Sequence, residues 1–311
     1  MRSGGSGRRR ILYARPAAHE PACEVRSRKA RLRPMPAALP LIDSHCHLDA
    51  PEFAADRTAV IARARAAGVV AQVIPAIRAA DWPALAELCA GEAGLHAAYG
   101  LHPLYLAEHV DAHLQELREC LAAGGAVAVG ECGLDFFVEG LDPSLQRHFF
   151  RGQLALAQEF DLPVIVHARR AVEEVIHTLR DYPGLRGVVH SYSGSEEQAR
   201  QLCRQGFLLG IGGPVSYSRA HRLRRIVAEM PLEHLLLESD APDQPLAAQR
   251  GERNEPASIA AVLDEIAALR PESRETIAAA TTANARRLFS LSADAAAAPD
   301  RASSSSAPAA G

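Results

Sequence analysis

Between residues 41 and 240 the chain alternates short apolar runs with longer segments whose apolar positions recur at helical spacing. Eight runs read as strands: 41–48 (LIDSHCHL), 69–77 (VVAQVIPAI), 96–102 (HAAYGLH), 126–131 (AVAVGE), 163–167 (PVIVH), 187–191 (GVVHS), 207–212 (FLLGIG) and 235–240 (LLLESD). Helix-like segments follow near 54–67, 82–91, 110–123, 144–160, 170–181, 195–205, 218–229 and 257–269. In 144–160, Leu145, Phe149, Leu156 and Phe160 lie four or seven residues apart, as one helical face requires. Gly68, Gly124, Gly184 and Gly206 stand just past helix ends, where a left-handed residue is favoured. Strand and helix alternating eight times predicts an α/β fold, a (β/α)8 barrel of the TIM type. A doubly wound open sheet is the alternative, and the first strand lacks the glycine-rich phosphate turn that such a fold places there.

The flanks do not share this pattern. Residues 1–34 are rich in Arg, Gly and Pro without sustained periodicity and read as a disordered leader. Composition changes at Met35, which we expect to be the true start. Arg8-Arg9-Arg10 is followed by an apolar stretch only from Ile11 to Ala14, too short for a secretory segment; an organelle transit peptide is the alternative. Residues 292–311 are mostly Ala, Ser and Pro and bury too little to fold. The expected domain is therefore 35–291.

Charge sharpens the picture. Of 34 basic and 37 acidic residues, the leader holds ten and two, so the body carries a net charge of about −11. A body of that sign has no basic stripe for coating duplex nucleic acid, though a basic patch at one mouth is compatible with it. Lys29 is the only lysine. The body thus has no Schiff-base lysine, no P-loop lysine and no lysine to carbamylate as a metal bridge. The six cysteines form no C-x-x-C pair, which suits a reducing cytoplasm. No apolar run approaches the ~20 residues of a membrane span.

The chemistry gathers at the strand ends. His45 and His47 close the first run, and alternate residues of a strand share a face, so both imidazoles should converge while Cys46 points away. Glu131, His167, His190 and Asp240 end the fourth, fifth, sixth and eighth runs. Closing the barrel brings all five ends around one rim, where sites of this fold lie. Four imidazoles and two carboxylates suit borderline divalent ions, and two ions need a bridge. With no lysine available, Glu131 is the bridge, His45, His47 and Asp240 serve one ion, and His167 and His190 the other. Such a pair supplies Lewis-acid polarisation and an activated water, with Asp240 placed to take the proton. A thiolate ligand, Cys46 or Cys132, is the alternative donor.

The ordered motifs D-S-H-C-H-L-D (43–49), G-L-H-P (100–103), G-E-C-G-L-D (130–135), L-P-V-I-V-H-A-R (162–169), H-S-Y-S-G-S (190–195), E-S-D-A-P (238–242) and R-N-E-P (253–256) resemble those of the TatD family of metal-dependent hydrolases. The resemblance runs from Ile42 to the N-A-R-R-L-F segment at 284–289, and residues 212–220 and 238–245 are similar to its YjjV-like branch. It implies a TIM-barrel hydrolase with the same six ligands and, for some members, phosphodiester hydrolysis at DNA ends. Cys132 and Ser191 depart from the common G-E-I-G-L-D and H-C-F-S-G-S or H-G-F-S-G-S patterns, which bears on specificity rather than on the ligands.

Around the mouth, His102, Arg169, Ser193 and Arg253 are candidates for substrate contact, Arg169 first because it lies two residues beyond His167. Arginine's planar fork suits phosphate. Ser195 followed by two glutamates reads as an ordinary helix cap. The expected activity is a phosphodiesterase or deoxyribonuclease with two divalent cations (Zn, Mn or Mg), acting on nucleic-acid ends or a small phosphodiester. A hydrolase of another ester, lactone or amide, or a binding module without turnover, are the alternatives, since fold and metal do not specify the substrate. Oligomeric state is not legible.

Overall fold

The structure, a computed structural model, describes residues 38–292; the expectations about the leader and about the tail beyond Ser292 lie outside them. Eight parallel strands pair in chain order: β1 (Leu41–Asp43), β2 (Val69–Pro75), β3 (Leu95–Tyr99), β4 (Ala128–Asp135), β5 (Val164–Arg169), β6 (Gly187–Val189), β7 (Phe207–Ile211) and β8 (Leu235–Leu237). Ser44 brings the two edges together, its N–H and its hydroxyl both donating to the Leu237 carbonyl at 2.9 Å. The barrel is thereby nearly closed, which excludes the open sheet.

Helices α1 (Arg57–Ala66), α2 (Trp82–Gly91), α3 (Ala112–Ala122), α4 (Pro143–Glu159), α5 (Val172–Leu179), α6 (Glu196–Arg204), α7 (His221–Glu229) and α8 (Ile259–Ala267) follow the eight strands as the periodicity predicts. Ser195 caps α6 in a capping box with Gln198. Gly68, Gly124, Gly184 and Gly206 all adopt positive φ. A ninth helix, α9 (Arg274–Phe289), escaped the pattern. Its buried face includes Thr281, Thr282 and Asn284, so it carries little amphipathic contrast.

Two apolar layers result. One side chain or more from every strand, among them Ile42, Val73, Ile165 and Leu236, packs into the barrel interior against Leu288 and Phe289 of α9. Thr282 donates to the Pro40 carbonyl at 2.8 Å and Asn284 to Leu235 at 2.9 Å, so α9 covers the N-terminal end of the barrel. That leaves the C-terminal rim free for chemistry.

Helix α4 reaches that rim through two glutamines seven residues apart on its buried face. Gln146 accepts from the Asp135 N–H at 2.7 Å and donates to the Asp135 carbonyl at 2.9 Å. Gln153 does the same for Leu101, at 2.7 and 3.1 Å. Both glutamines are fully buried. Gln153→Leu would leave a buried N–H and carbonyl of Leu101 unpaired, so we expect a stability loss of about 2–3 kcal/mol. Chemical denaturation checks this; a change below about 0.5 kcal/mol would mean water replaces the amide.

Candidate metal centre

Most strands end sooner than the apolar runs imply, whereas β4 and β5 continue past them to Asp135 and Arg169. β1 stops at Asp43 and β8 at Leu237, so His45, His47 and Asp240 lie on the backbone that leaves the barrel, while Glu131 sits inside β4. Strand alternation therefore does not explain the convergence of His45 and His47. Hydrogen bonds do: Cys46 N–H donates to the Val73 carbonyl at 3.1 Å, His47 N–H to Ala241 at 2.7 Å and Asp240 N–H to His45 at 2.9 Å. They keep the segment extended between its neighbours. Buried Asp43 ties the same two edges, accepting from the Ser239 N–H at 2.9 Å and from its hydroxyl at 2.6 Å. Asp240 itself is in the left-handed region (φ 55°), which Asp tolerates better than most residues.

All six expected ligands meet around Glu131. Its Oε2 lies 3.2 Å from His45 Nε2 and 3.4 Å from His47 Nε2. Its Oε1 lies 3.0 Å from His167 Nδ1 and 2.8 Å from His190 Nε2. Asp240 Oδ1 stands 3.4 Å from His45 Nε2 and 3.8 Å from His47 Nε2. One carboxylate thus turns a separate oxygen toward each imidazole pair. Burial alone would raise the Glu131 carboxyl, but the surrounding imidazoles of His190, His102 and His45 hold it well below the usual carboxylate range. Burial likewise opposes charge on His190 and His47, yet Glu131 lifts them to about 10 and about 9.

This donor set fits divalent cations. Glu131 Oε2 is buried and accepts no hydrogen bond from the described residues. The facing nitrogens of His45 and His47 are 3.2 Å apart, and those of His167 and His190 are 3.3 Å apart. Nitrogens that close share either a proton or a cation, and a divalent ion can take the place of the proton. Three ligand triads satisfy metal spacing: His45, His47 and Asp240; His45, Glu131 and His190; His102, Glu131 and His167. The thiols do not join: Cys46 and Cys132 are buried, point to Gln72 and to the Ile165 carbonyl, and burial pushes both upward.

His102 has a more specific place than phosphate contact. Leu104 N–H donates to its Nδ1 at 3.1 Å, so Nε2 carries the proton and donates to Glu131 Oε1 at 2.9 Å. With both nitrogens used, His102 orients the central carboxylate. Asp135 was not singled out from the sequence. Its Oδ2 accepts from His167 Nε2 at 2.9 Å, which aims Nδ1 at the centre. Glu238, also not singled out, is fully buried; it accepts from the Ser191 N–H and lies 4.0 Å from His190 Nδ1. The available signal was the run of acidic residues inside the motifs, Asp43, Asp135 and Glu238, at positions otherwise apolar. Asp135→Asn should weaken metal affinity 10–100-fold, the usual cost of losing a ligand's outer partner. Chelator competition measures it, and unchanged affinity would leave Asp135 as a loop anchor only.

The substrate candidates separate. His102, Arg169 and Ser193 line a cleft of about 930 Å³ that opens above the ligands. Arg253 does not. Its guanidinium is committed to Asp56 at 2.8 Å, Glu255 at 3.0 Å and the Glu52 carbonyl at 2.6 Å, so it fastens the last loop to the segment that leads into α1. Asn254 beside it donates to Ser239 and Asp243 carbonyls, holding the Asp240 turn.

Barrel and donor set together define a metal-dependent hydrolase. The family model for TatD related DNases matches residues 42–290, and the chain belongs to that family. The uncharacterised metal-dependent hydrolase YjjV of Escherichia coli K12 is 41% identical over 255 residues, 80% of this chain and 98% of the relative. The 3′-5′ ssDNA/RNA exonuclease TatD of Erwinia tasmaniensis is 35% identical over 265 residues, 81% of this chain and 100% of the relative. The crystal structure of YjjV superposes with a TM-score of 0.78 at 39% identity, covering 81% of this chain and 98% of that one.

Proposed function

We propose that this hydrolase cleaves phosphodiester bonds near the ends of single-stranded nucleic acid, using two divalent cations shared by Glu131. The observation that carries the reading is the division of that carboxylate between two imidazole pairs. His45, His47 and Asp240 would hold one ion and His167 and His190 the other, with Glu131 common to both. Cations there supply Lewis-acid polarisation of a phosphoryl oxygen and activation of water. Imidazole-rich donors favour Zn or Mn over Mg on softness.

The chain's own groups do the rest. Asp240 takes the proton from the attacking water at its carboxylate, which burial holds above the ordinary aspartate range. His102 keeps Glu131 in register through its Nε2–H. Arg169, exposed at the cleft wall and free of any ion pair among the described residues, holds phosphate. Asp49, Asp81 and Asp243 line other parts of the same cleft, which confines anion contacts to its Arg169 side. A relative named as a single-strand exonuclease supports the substrate class. No helix among the described residues is long and apolar enough to cross a membrane; the cytoplasmic location rests on the cysteine usage alone, six cysteines without a C-x-x-C pair. A hydrolase body spanning 35–291 completes the proposal.

The test pairs metal analysis with chelator-sensitive release of nucleotides from single-stranded and duplex oligonucleotides. Turnover confined to carboxylic esters, lactones or amides would overturn it. Arg169→Ala should raise KM for an oligonucleotide roughly tenfold while kcat falls less, as expected when phosphate is held alike in ground and transition states. An unchanged KM would return Arg169 to the solvated surface.

A further inference from the structure

Among the described residues the large apolar side chains that remain exposed are Leu104, Val110, Phe137 and Val138. All four lie on the loops that follow β3 and β4, on one side of the mouth. Phe137 is 43% exposed, and two arginines lean on it: the Arg169 guanidinium carbon is 3.8 Å from the ring centroid and that of Arg170 is 4.6 Å away. Neither guanidinium forms an ion pair or a side-chain hydrogen bond among the described residues. Arg170 adopts a left-handed φ of 54°, an uncommon conformation for a residue with a long side chain. Strained backbone of this kind tends to collect at ligand sites.

The loop beneath the ring is not loose. Asp135 Oδ1 accepts from the N–H groups of Phe137 and Val138 at 2.9 and 3.1 Å, while Oδ2 holds His167. Phe136 N–H donates to the Arg169 carbonyl at 2.9 Å. The exposed ring is therefore fixed relative to a metal ligand through a single carboxylate. Another cation–aromatic pair at the mouth, Arg78 over Tyr105 at 5.4 Å, differs in one respect: Arg78 is bound to Asp81 at 2.9 Å and its charge is neutralised. Arg219, over Tyr217 at 5.8 Å, also forms no ion pair among the described residues, but it does not line the cleft above the ligands, whereas Arg169 does.

An exposed flat ring flanked by free guanidiniums is the combination that single-stranded nucleic acid needs, because bases stack on aromatic or guanidinium planes while arginines take the phosphates. We propose that Phe137, Arg169 and Arg170 form a stacking platform for a base of single-stranded nucleic acid next to the scissile phosphate, so that the strand crosses the β4–β5 side of the rim. This rests on the nuclease reading above and adds the path of the strand and the residue that grips a base. Phe137 binds substrate in this scheme and moves no proton.

The experiment measures steady-state kinetics of the metal-loaded enzyme, wild type, Phe137→Ala and Phe137→Trp, on a single-stranded oligonucleotide. The same oligonucleotide with abasic sites at the terminal positions serves as the comparison. Phe137→Ala should raise KM for the normal strand roughly tenfold, the scale of one lost base–aromatic stack, with kcat within about twofold. Phe137→Trp should restore KM, and the abasic strand should not distinguish the three proteins. Unchanged KM in Phe137→Ala, or equal losses on normal and abasic strands, would remove the platform while leaving the nuclease intact. Wild-type protein that cleaves no oligonucleotide would remove both. Metal content and melting temperature of each variant identify any loss of fold: a Phe137→Trp that folds and loads metal yet fails to restore KM also counts against the platform.

Discussion

Replacing Glu131 by Gln should leave the barrel standing and remove at least one of two metal equivalents, with turnover falling more than about 100-fold. Even the outer partners of metal ligands cost 10–100-fold when removed, and Glu131 is the one group that faces all four expected imidazole ligands. A neutral amide keeps the volume of a side chain that is only 1% exposed. It cannot present an anionic oxygen to each imidazole pair, and its NH2 group points a donor where a cation belongs. No lysine in the described barrel can substitute. Elemental analysis and turnover on one preparation check this. Two full equivalents with normal turnover would take Glu131 out of the bridging position.

Asp240→Asn is the second large effect. Asn tolerates left-handed backbone as Asp does, so the φ of 55° at this position should survive the change. Gln244 donates to the Asp240 carboxylate, and an Asn oxygen can still accept that bond. Shape is thus preserved while the proton acceptor is lost. General-base loss alone costs about 10²–10⁴-fold, so kcat should fall by at least about 10²-fold, with the ion at His167 and His190 retained. Single-turnover rates measured alongside metal content separate chemistry from loading. A variant holding more than about a tenth of wild-type kcat would sink the assignment of Asp240 as base.

Much of this centre was legible because barrel strands are short, apolar and buried on both faces, so a histidine or acid among them stands out. His167 follows Val-Ile-Val, His190 follows two valines, and Asp240 comes three residues after the last of three leucines. The boundaries were less legible. His45 and His47 continue an extended segment without being strand, since β1 gives up regular pairing at Asp43 and borrows single hydrogen bonds from β2 and the Ala241 turn. Long-range pairing was illegible altogether: Arg253 meets Asp56 across 197 residues of sequence, and nothing local marks it as structural. The two glutamines of α4 could have been noticed. A polar residue on the buried face of a helix, repeated seven residues later beside Phe149, must find a partner inside.

Those glutamines also govern how the mouth moves. Leu101 precedes His102 and Asp135 precedes the Phe137 loop, and both backbones are clasped to one 17-residue helix. Neither loop can swing out alone without stranding buried amides, so this flank opens only when α4 lifts as a body. Amide exchange of Leu101 and Asp135 should then follow the slow, cooperative openings of the barrel rather than the quick fluctuations usual for loops. One wall of the cleft is consequently a fixed jaw, and whatever mobility admits a strand belongs elsewhere on the rim.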